Sequence, residues 1–158
     1  MAKTSNVVLA SRNIDKLNQL SNQINNDGGT SIAVKTDITN LDSCKNMLNE
    51  SVSAFGKVDS LILNAGISMW ARFDRITDIS LFSNINEINY QGSVNCVYSC
   101  IDELKKSRGQ IVAITTAQAL IGFPNASAYS ASKHALHGFL ETLPVSYTHL
   151  TLPTKRIV

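Results

Sequence analysis

Val58-Asp59-Ser60-Leu61-Ile62-Leu63 runs directly into Asn64-Ala65-Gly66. A run this short and this apolar, closed by small turn-forming residues, is predicted to be a strand covered on both faces. Strands of that kind belong to parallel sheets, whose crossover connections lay helices on either side. Working back from it, Asn40 to Phe55 is predicted helical, with Thr39 as cap and Gly56 as stop. Before that come a strand, Ser31 to Lys35, and a turn, Asn26-Asp27-Gly28-Gly29. Ile14, Leu17, Leu20 and Ile24 recur at helical intervals within Asn13 to Ile24, and Asn6 to Ala10 is a first strand. Working forward, a long helix is predicted from about Phe82 to Lys106, ended by Gly109. A strand, Gln110 to Thr115, and a helix from Ala126 to Leu143 follow. This alternation predicts an α/β fold, a doubly wound parallel sheet with helices on both faces.

The 158 residues fit one domain, 44% hydrophobic and 16% charged. A net charge of +2 without a basic stripe argues against nucleic acid as a partner. No apolar run approaches the ~20 residues of a membrane span, and no basic-then-apolar leader opens the chain. The expected compartment is therefore cytoplasmic. Cys44, Cys96 and Cys100 are odd in number, against a disulfide framework. Cys96 and Cys100 share a helix face, and the reading is buried apolar thiols with no metal site.

Both ends depart from the pattern. A doubly wound nucleotide-binding sheet carries a glycine-rich phosphate turn after its first strand, and no Gly-x-Gly-x-x-Gly occurs here. A strand, that turn and most of a helix are expected to be missing ahead of Asn6, with residues 1–4 as the helix tail. After Leu143 the helical pattern breaks at Pro144, and Val145 to Thr154 resembles a translated sequencing adapter. Residues 1–143 are thus expected to be a partial nucleotide-binding domain and residues 144–158 a non-native tail. That tail holds Lys155 and Arg156 and no acid, so without it the net charge is zero. A natural exposed tail is the alternative.

Tyr129 and Lys133 stand four apart at the start of the last helix, on one face. An ammonium beside a phenol favours the phenolate and makes the tyrosine a proton donor and acceptor. Taken alone, the pair also describes a solvated helix surface. Thr116 closes the fourth strand, where parallel sheets bind ligands, and its hydroxyl can stabilise charge on a carbonyl oxygen. Asn64, Ala65 and Gly66 let backbone approach a flat ligand, and Asp37 can accept from an adenine amine. Each has a plain reading as a turn or a helix-flanking carboxylate.

Asn64-Ala65-Gly66, Asn89, Thr116, Tyr129 and Lys133, in this order, resemble the short-chain dehydrogenase/reductase family. The stretch from Gly109 through Thr116 to Tyr129-Ser-Ala-Ser-Lys133 is similar to its active-site signature, and the resemblance covers about Asn6 to Leu143. It implies a Rossmann-type fold, incomplete here at both ends. It further implies that Tyr129 is the acid/base, that Lys133 lowers its pKa and holds the nicotinamide ribose, and that Thr116 orients the carbonyl or alcohol. Asn89 would help hold a water linking Lys133 to solvent. Asn64, Ala65 and Gly66 would line the cofactor cleft, with Asp37 and Ile38 at the adenine. Ser11 and Arg12 end the strand where NAD-preferring enzymes place an acid. A guanidinium there suits a 2′-phosphate, so NADP(H) is expected over NAD(H).

The implied activity is hydride transfer between NADP(H) and a small-molecule carbonyl or alcohol. The intact protein is expected to be a homodimer or homotetramer, through the helices starting near Phe82 and Ala126. Thr116 stands where the family has serine, Ala119 where it often has glycine and Leu63 where it often has asparagine. The fragment as written is expected to be inactive, weak in cofactor binding and poorly soluble. Two alternatives are a non-catalytic dinucleotide-binding sensor or scaffold, which Thr116 would favour, and a sugar-nucleotide epimerase. Trp70, Ile121 and Phe123 hint at an apolar pocket, although isolated aromatics are more commonly core.

Overall fold

The computed structural model describes residues 5–146 and 154–157, with side chains to residue 143. The chain alternates as expected: β1 (Asn6–Ser11), α1 (Ile14–Asn26), β2 (Thr30–Lys35), α2 (Leu41–Phe55), β3 (Ser60–Leu63), α3 (Ser80–Asn86), α4 (Gly92–Ser107), β4 (Gln110–Ile114), α5 (Ser127–Ser146) and β5 (Thr154–Ile157). All pairings are parallel: β1 with β2 from Asn6 opposite Thr30, β3 with β4 from Ser60 opposite Gln110, and β4 with β5 from Ile111 opposite Thr154.

The strands form two sheets, β1-β2 and β3-β4-β5, rather than one. Between them lies a cavity of ≈ 890 Å³, lined by β1 from Asn6 to Ala10, by β3 from Ser60 to Ile62, and by Leu17, Met47 and Cys100. Two parallel strand edges therefore face each other across a gap that neither closes. The doubly wound sheet is incomplete at its centre, in the place where the expected additional strand would pair with both edges.

Local chemistry sets the helix ends. Asn13 caps α1 by accepting from the Lys16 amide at 3.1 Å. Asn40, not Thr39, caps α2, accepting from the Ser43 amide at 2.8 Å. Thr39 is diverted because its hydroxyl donates to Asp37 at 2.8 Å. Gly56 ends α2 in the left-handed region at φ 76, as its position predicts.

The single long helix expected from Phe82 to Lys106 is interrupted. A π-turn, Glu87–Gln91, separates α3 from α4. Such turns add one residue to the helical path, and they frequently mark functional positions. Arg108 then takes the left-handed conformation and Gly109 donates to the Leu104 carbonyl at 2.7 Å. Glycine is needed there because a Cβ would lie 2.6 Å from the Asp59 carbonyl oxygen.

The core sits between the sheets and α2, α4 and α5, with Cys44, Leu104, Ile111, Ala113 and Leu136 buried. A second cluster of Met69, Ile85 and Ala128 holds the loop after β3 against α3 and α5. All three cysteines are buried and free. Cys96 meets Cys44 at 3.9 Å between sulfurs, a neighbour from α2 that helix spacing could not reveal.

The C-terminal expectation changes in part. Helical backbone continues through Pro144 to Ser146, past the predicted end at Leu143, and Thr154–Ile157 pairs with β4. Side-chain periodicity stops at Leu143, but backbone hydrogen bonding does not depend on it. The remainder of the expected tail, residues 147–153 and 158, and the expected helix tail at residues 1–4 lie outside the described residues. Among the described residues no helix is long and apolar enough to cross a membrane.

Candidate active site

The carboxyl ends of the strands converge on one edge. β3 delivers Asn64, Ala65 and Gly66, all exposed, and β4 delivers Thr116. The first turns of α5 bring Tyr129 and Lys133 to the same edge. Lys133 is buried, 5% exposed, with its Nζ 5.8 Å from the centre of the Tyr129 ring. It donates to the Ile114 carbonyl at 3.4 Å, which ties α5 to the end of β4. Burial pushes the Lys133 ammonium below its ordinary pKa, because low-dielectric surroundings disfavour the charged form. Helix spacing alone placed these two residues together.

Asn89 is fully buried in the π-turn. Its Oδ1 accepts from the Ile67 amide at 2.8 Å, and its Nδ2 donates to the Ile67 carbonyl at 2.8 Å and to Ser132 Oγ at 3.0 Å. The side chain thus clamps the loop after β3 to α5. Ser132, which the sequence reading did not single out, completes the link by donating to the Tyr129 carbonyl at 2.8 Å. Its signal was present in the Tyr-Ser-Ala-Ser-Lys stretch, but a serine on a helix has too many surface uses to be selected. A side chain at Gly66 would crowd this clamp, its Cβ meeting Asn89 Oδ1 at 3.1 Å.

Thr116 is half-buried, and its Oγ1 accepts from the Gln118 amide at 3.4 Å, capping a short 3-10 turn over Ala117–Ala119. Beside it, the Thr115 hydroxyl is buried without a hydrogen-bond partner.

The second group of expected residues lies at the ends of β1 and β2. Ser11 is half-buried and accepts from the Asn13 amide at 3.3 Å, while Arg12 is exposed. The Asp37 carboxylate accepts from the Thr39 hydroxyl at 2.8 Å and the Thr39 amide at 3.0 Å. These bonds hold its pKa down, with the charge of Arg12 adding to them against a small opposing desolvation. Ile38 packs against Gly92, and Asn95 donates to its carbonyl at 2.9 Å. The expected residues thus fall into two sets on the same edge, separated by the cavity between the sheets.

Trp70, Ile121 and Phe123 are not core. All three are exposed, and the Trp70 and Phe123 rings touch with centroids 6.0 Å apart.

The model of the family described as short chain dehydrogenase matches residues 1–150. The chain belongs to that family. A relative from Arabidopsis thaliana described as 11-beta-hydroxysteroid dehydrogenase-like 2 is 39% identical over 146 residues, covering 90% of this chain and 47% of the relative. A Dictyostelium discoideum dehydrogenase/reductase SDR family protein 7-like is 30% identical over 145 residues, 87% of this chain and 45% of that one. The chain therefore spans about half the length of the curated relatives it matches. Among solved structures, an alcohol dehydrogenase of Thermococcus sibiricus complexed with 5-hydroxy-NADP superposes with a TM-score of 0.89 at 20% identity, over 98% of this chain and 66% of that one. A short-chain dehydrogenase/reductase of Burkholderia phymatum in complex with NAD gives 0.85 at 23% identity, over 94% and 53%. These two establish the fold as that of a short-chain dehydrogenase.

Proposed function

We propose that the protein, at the length of its relatives, transfers a hydride between NADP(H) and a carbonyl or alcohol carbon. The observation that carries this reading is the buried Lys133 ammonium beside the Tyr129 ring, at the strand ends next to Thr116. When bound, the nicotinamide dinucleotide supplies or accepts the hydride. The described residues fit part of such a cofactor. The backbone at Gly66 is bare, and an added Cβ would crowd Asn89 Oδ1 at 3.1 Å; just past β4, the Thr115 hydroxyl is buried without a hydrogen-bond partner. Arg12, Asp37 and Ile38 would hold the adenine end, Asn64, Ala65 and Gly66 its middle, and Lys133 the ribose. Amides of the glycine-rich kind that bind a pyrophosphate are not in this sequence.

The chain's own residues then divide the work. Tyr129 moves a proton to or from the substrate oxygen. Lys133, a cation close to the ring, favours the phenolate. Thr116 donates its hydroxyl to the same oxygen and offsets the charge that builds there. Asn89 acts as a positioning residue, since its amide is engaged by Ile67 and Ser132. A water relay through it rests on the family resemblance.

Arg12 supports NADP(H) because the end of β1 itself carries a guanidinium and no acid; Asp37, at the end of β2 and within reach of the Arg12 charge, is held by Thr39. A shallow groove between α4 and α5, lined by Val94, Tyr98, Ile101 and Phe139, supports association of two copies through these helices.

The test is reduction of a ketone by NADPH in the protein extended to the relatives' length, followed by the loss of cofactor absorbance. No turnover with any carbonyl or alcohol, together with tight NADPH binding, would favour the non-catalytic sensor instead.

A further inference from the structure

Resting on the reading of Tyr129 as the proton-transfer group, we propose that Trp70 and Phe123, with Leu120 and Ile121, form a wall that selects a neutral, bulky apolar carbonyl substrate. Four observations converge on this. The wall is built from the two loops that leave the catalytic strand ends, one after β3 and one after β4. They are joined by a hydrogen bond from the Ala71 amide to the Asn125 carbonyl at 2.8 Å. Asn125 adopts φ 65, a left-handed conformation asparagine tolerates.

The first loop is also anchored beside the chemistry. Met69, the neighbour of Trp70, is buried against Ile85 and Ala128, and Tyr129 packs on the same cluster. The loop that carries Trp70 is therefore anchored on the cluster that holds the Tyr129 ring.

Exposure of these side chains is large for their type. Trp70 is 68% and Phe123 48% exposed, and Leu120 and Ile121, just before Phe123 in the same loop, are exposed too. Exposed apolar side chains gathered on two joined loops mark a binding surface more often than chance. The tilted ring pair, 6.0 Å between centroids, presents two faces to one ligand.

Charge narrows the ligand. No ionisable side chain occurs from Thr115 to Ala128 or from Ile67 to Ala71. Next along the first loop, Arg72 and Asp74 bind each other at 2.8 Å. A carboxylate or phosphate on the substrate would lose its water here and gain no partner. Keto acids and phosphorylated carbonyls are thus disfavoured, and a compact neutral ring system is favoured.

Trp70 is the sole tryptophan, so the chain reports on its own wall. The experiment titrates decalone into the 158-residue chain while tryptophan emission is recorded, with decalin carboxylate as the charged comparison. The expected result is a saturable blue shift with decalone and none with the carboxylate. Phe123→Ala is expected to weaken decalone binding on the order of tenfold. Emission that is already that of a buried indole without ligand, equal response to the carboxylate, or no effect of Phe123→Ala overturns the proposal. A parallel assay at the relatives' length separates the two readings. Reduction of cyclohexanone but no preference for decalone leaves the hydride transfer standing and removes the wall. Saturable decalone binding without turnover of any ketone leaves the wall and removes the hydride transfer.

Discussion

Asn89 Nδ2 donates to Ser132 Oγ at 3.0 Å across 43 residues of sequence, and this bond joins the π-turn to the helix that carries Tyr129 and Lys133. The same amide holds both backbone polar groups of Ile67. One side chain thereby fixes the spacing between the cofactor-cleft loop and the proposed proton-transfer pair.

Replacing Asn89 with alanine would remove this partner from the buried Ser132 hydroxyl and from the partly buried Ile67 amide and carbonyl. Unsatisfied buried polar groups cost about 1–3 kcal/mol each, and partial relaxation brings the expected total loss to ~2–4 kcal/mol. Urea unfolding of the variant against the parent measures it directly. A midpoint unchanged within error would show that the clamp carries no stability.

Tyr129→Phe keeps the ring against Ile85 and Ala128 and removes the hydroxyl. Turnover is expected to fall by about 10²–10⁴ with little change in thermal unfolding, since general acid–base catalysis contributes on that scale. Steady-state kinetics and calorimetry on the same preparations give both readings.

Lys133 carries a linked pH effect. Burial lowers its folded pKa below the ordinary 10.5, so the native state releases this proton at lower pH than the unfolded chain does. Between the lowered value and 10.5 the unfolded state binds more protons, and the lysine's contribution to stability rises with pH across that window. At neutral pH the buried ammonium opposes folding. Lys133→Met should abolish turnover, keep or raise the melting temperature at neutral pH, and flatten the alkaline part of the stability profile. A melting temperature that drops sharply in Lys133→Met would mean that the bond to the Ile114 carbonyl outweighs the desolvation.

Arg12→Glu tests coenzyme choice. A charged hydrogen bond to a 2′-phosphate is worth roughly 1.5–3 kcal/mol, so the preference for NADPH over NADH should move toward NADH by about tenfold or more. Paired kcat/KM measurements with the two coenzymes decide it, and an unmoved ratio would remove Arg12 from the argument.

Two glycines predict opposite signs. Gly109→Ala places a methyl 2.6 Å from the Asp59 carbonyl oxygen and should destabilise by ~1–3 kcal/mol. Gly138 lies inside α5 with nothing within 4 Å of an added Cβ, so Gly138→Ala should stabilise by ~0.5–1 kcal/mol. Chemical denaturation of the two variants side by side checks both.

Much of this was legible in the chain. Strand and helix periods, the Gly56 stop and the four-residue spacing of Tyr129 and Lys133 are local properties, and the structure reproduces them. The π-turn was not legible, because Ile85, Asn89 and Cys96 keep an approximately helical rhythm while the backbone gains a residue. The cap at Asn40 was missed because Thr39 is an equally good cap until Asp37 claims its hydroxyl. For Trp70 and Phe123 the sequence left a pocket and the core both open, because large apolar residues are usually interior and nothing in their spacing says which way a loop turns.

By itself the sequence determined the order of elements, their parallel sense and the residue types available at the strand ends, because these follow from short-range period and from the crossover rule. Tertiary structure alone decided which distant groups meet. Asn89 finds Ile67 and Ser132, Cys44 finds Cys96, and the edges of β1 and β3 stand apart around an ≈ 890 Å³ cavity. Such contacts depend on the packing of whole elements in three dimensions, and no local pattern of residues encodes the distance between two surfaces that the chain brings together only when it folds.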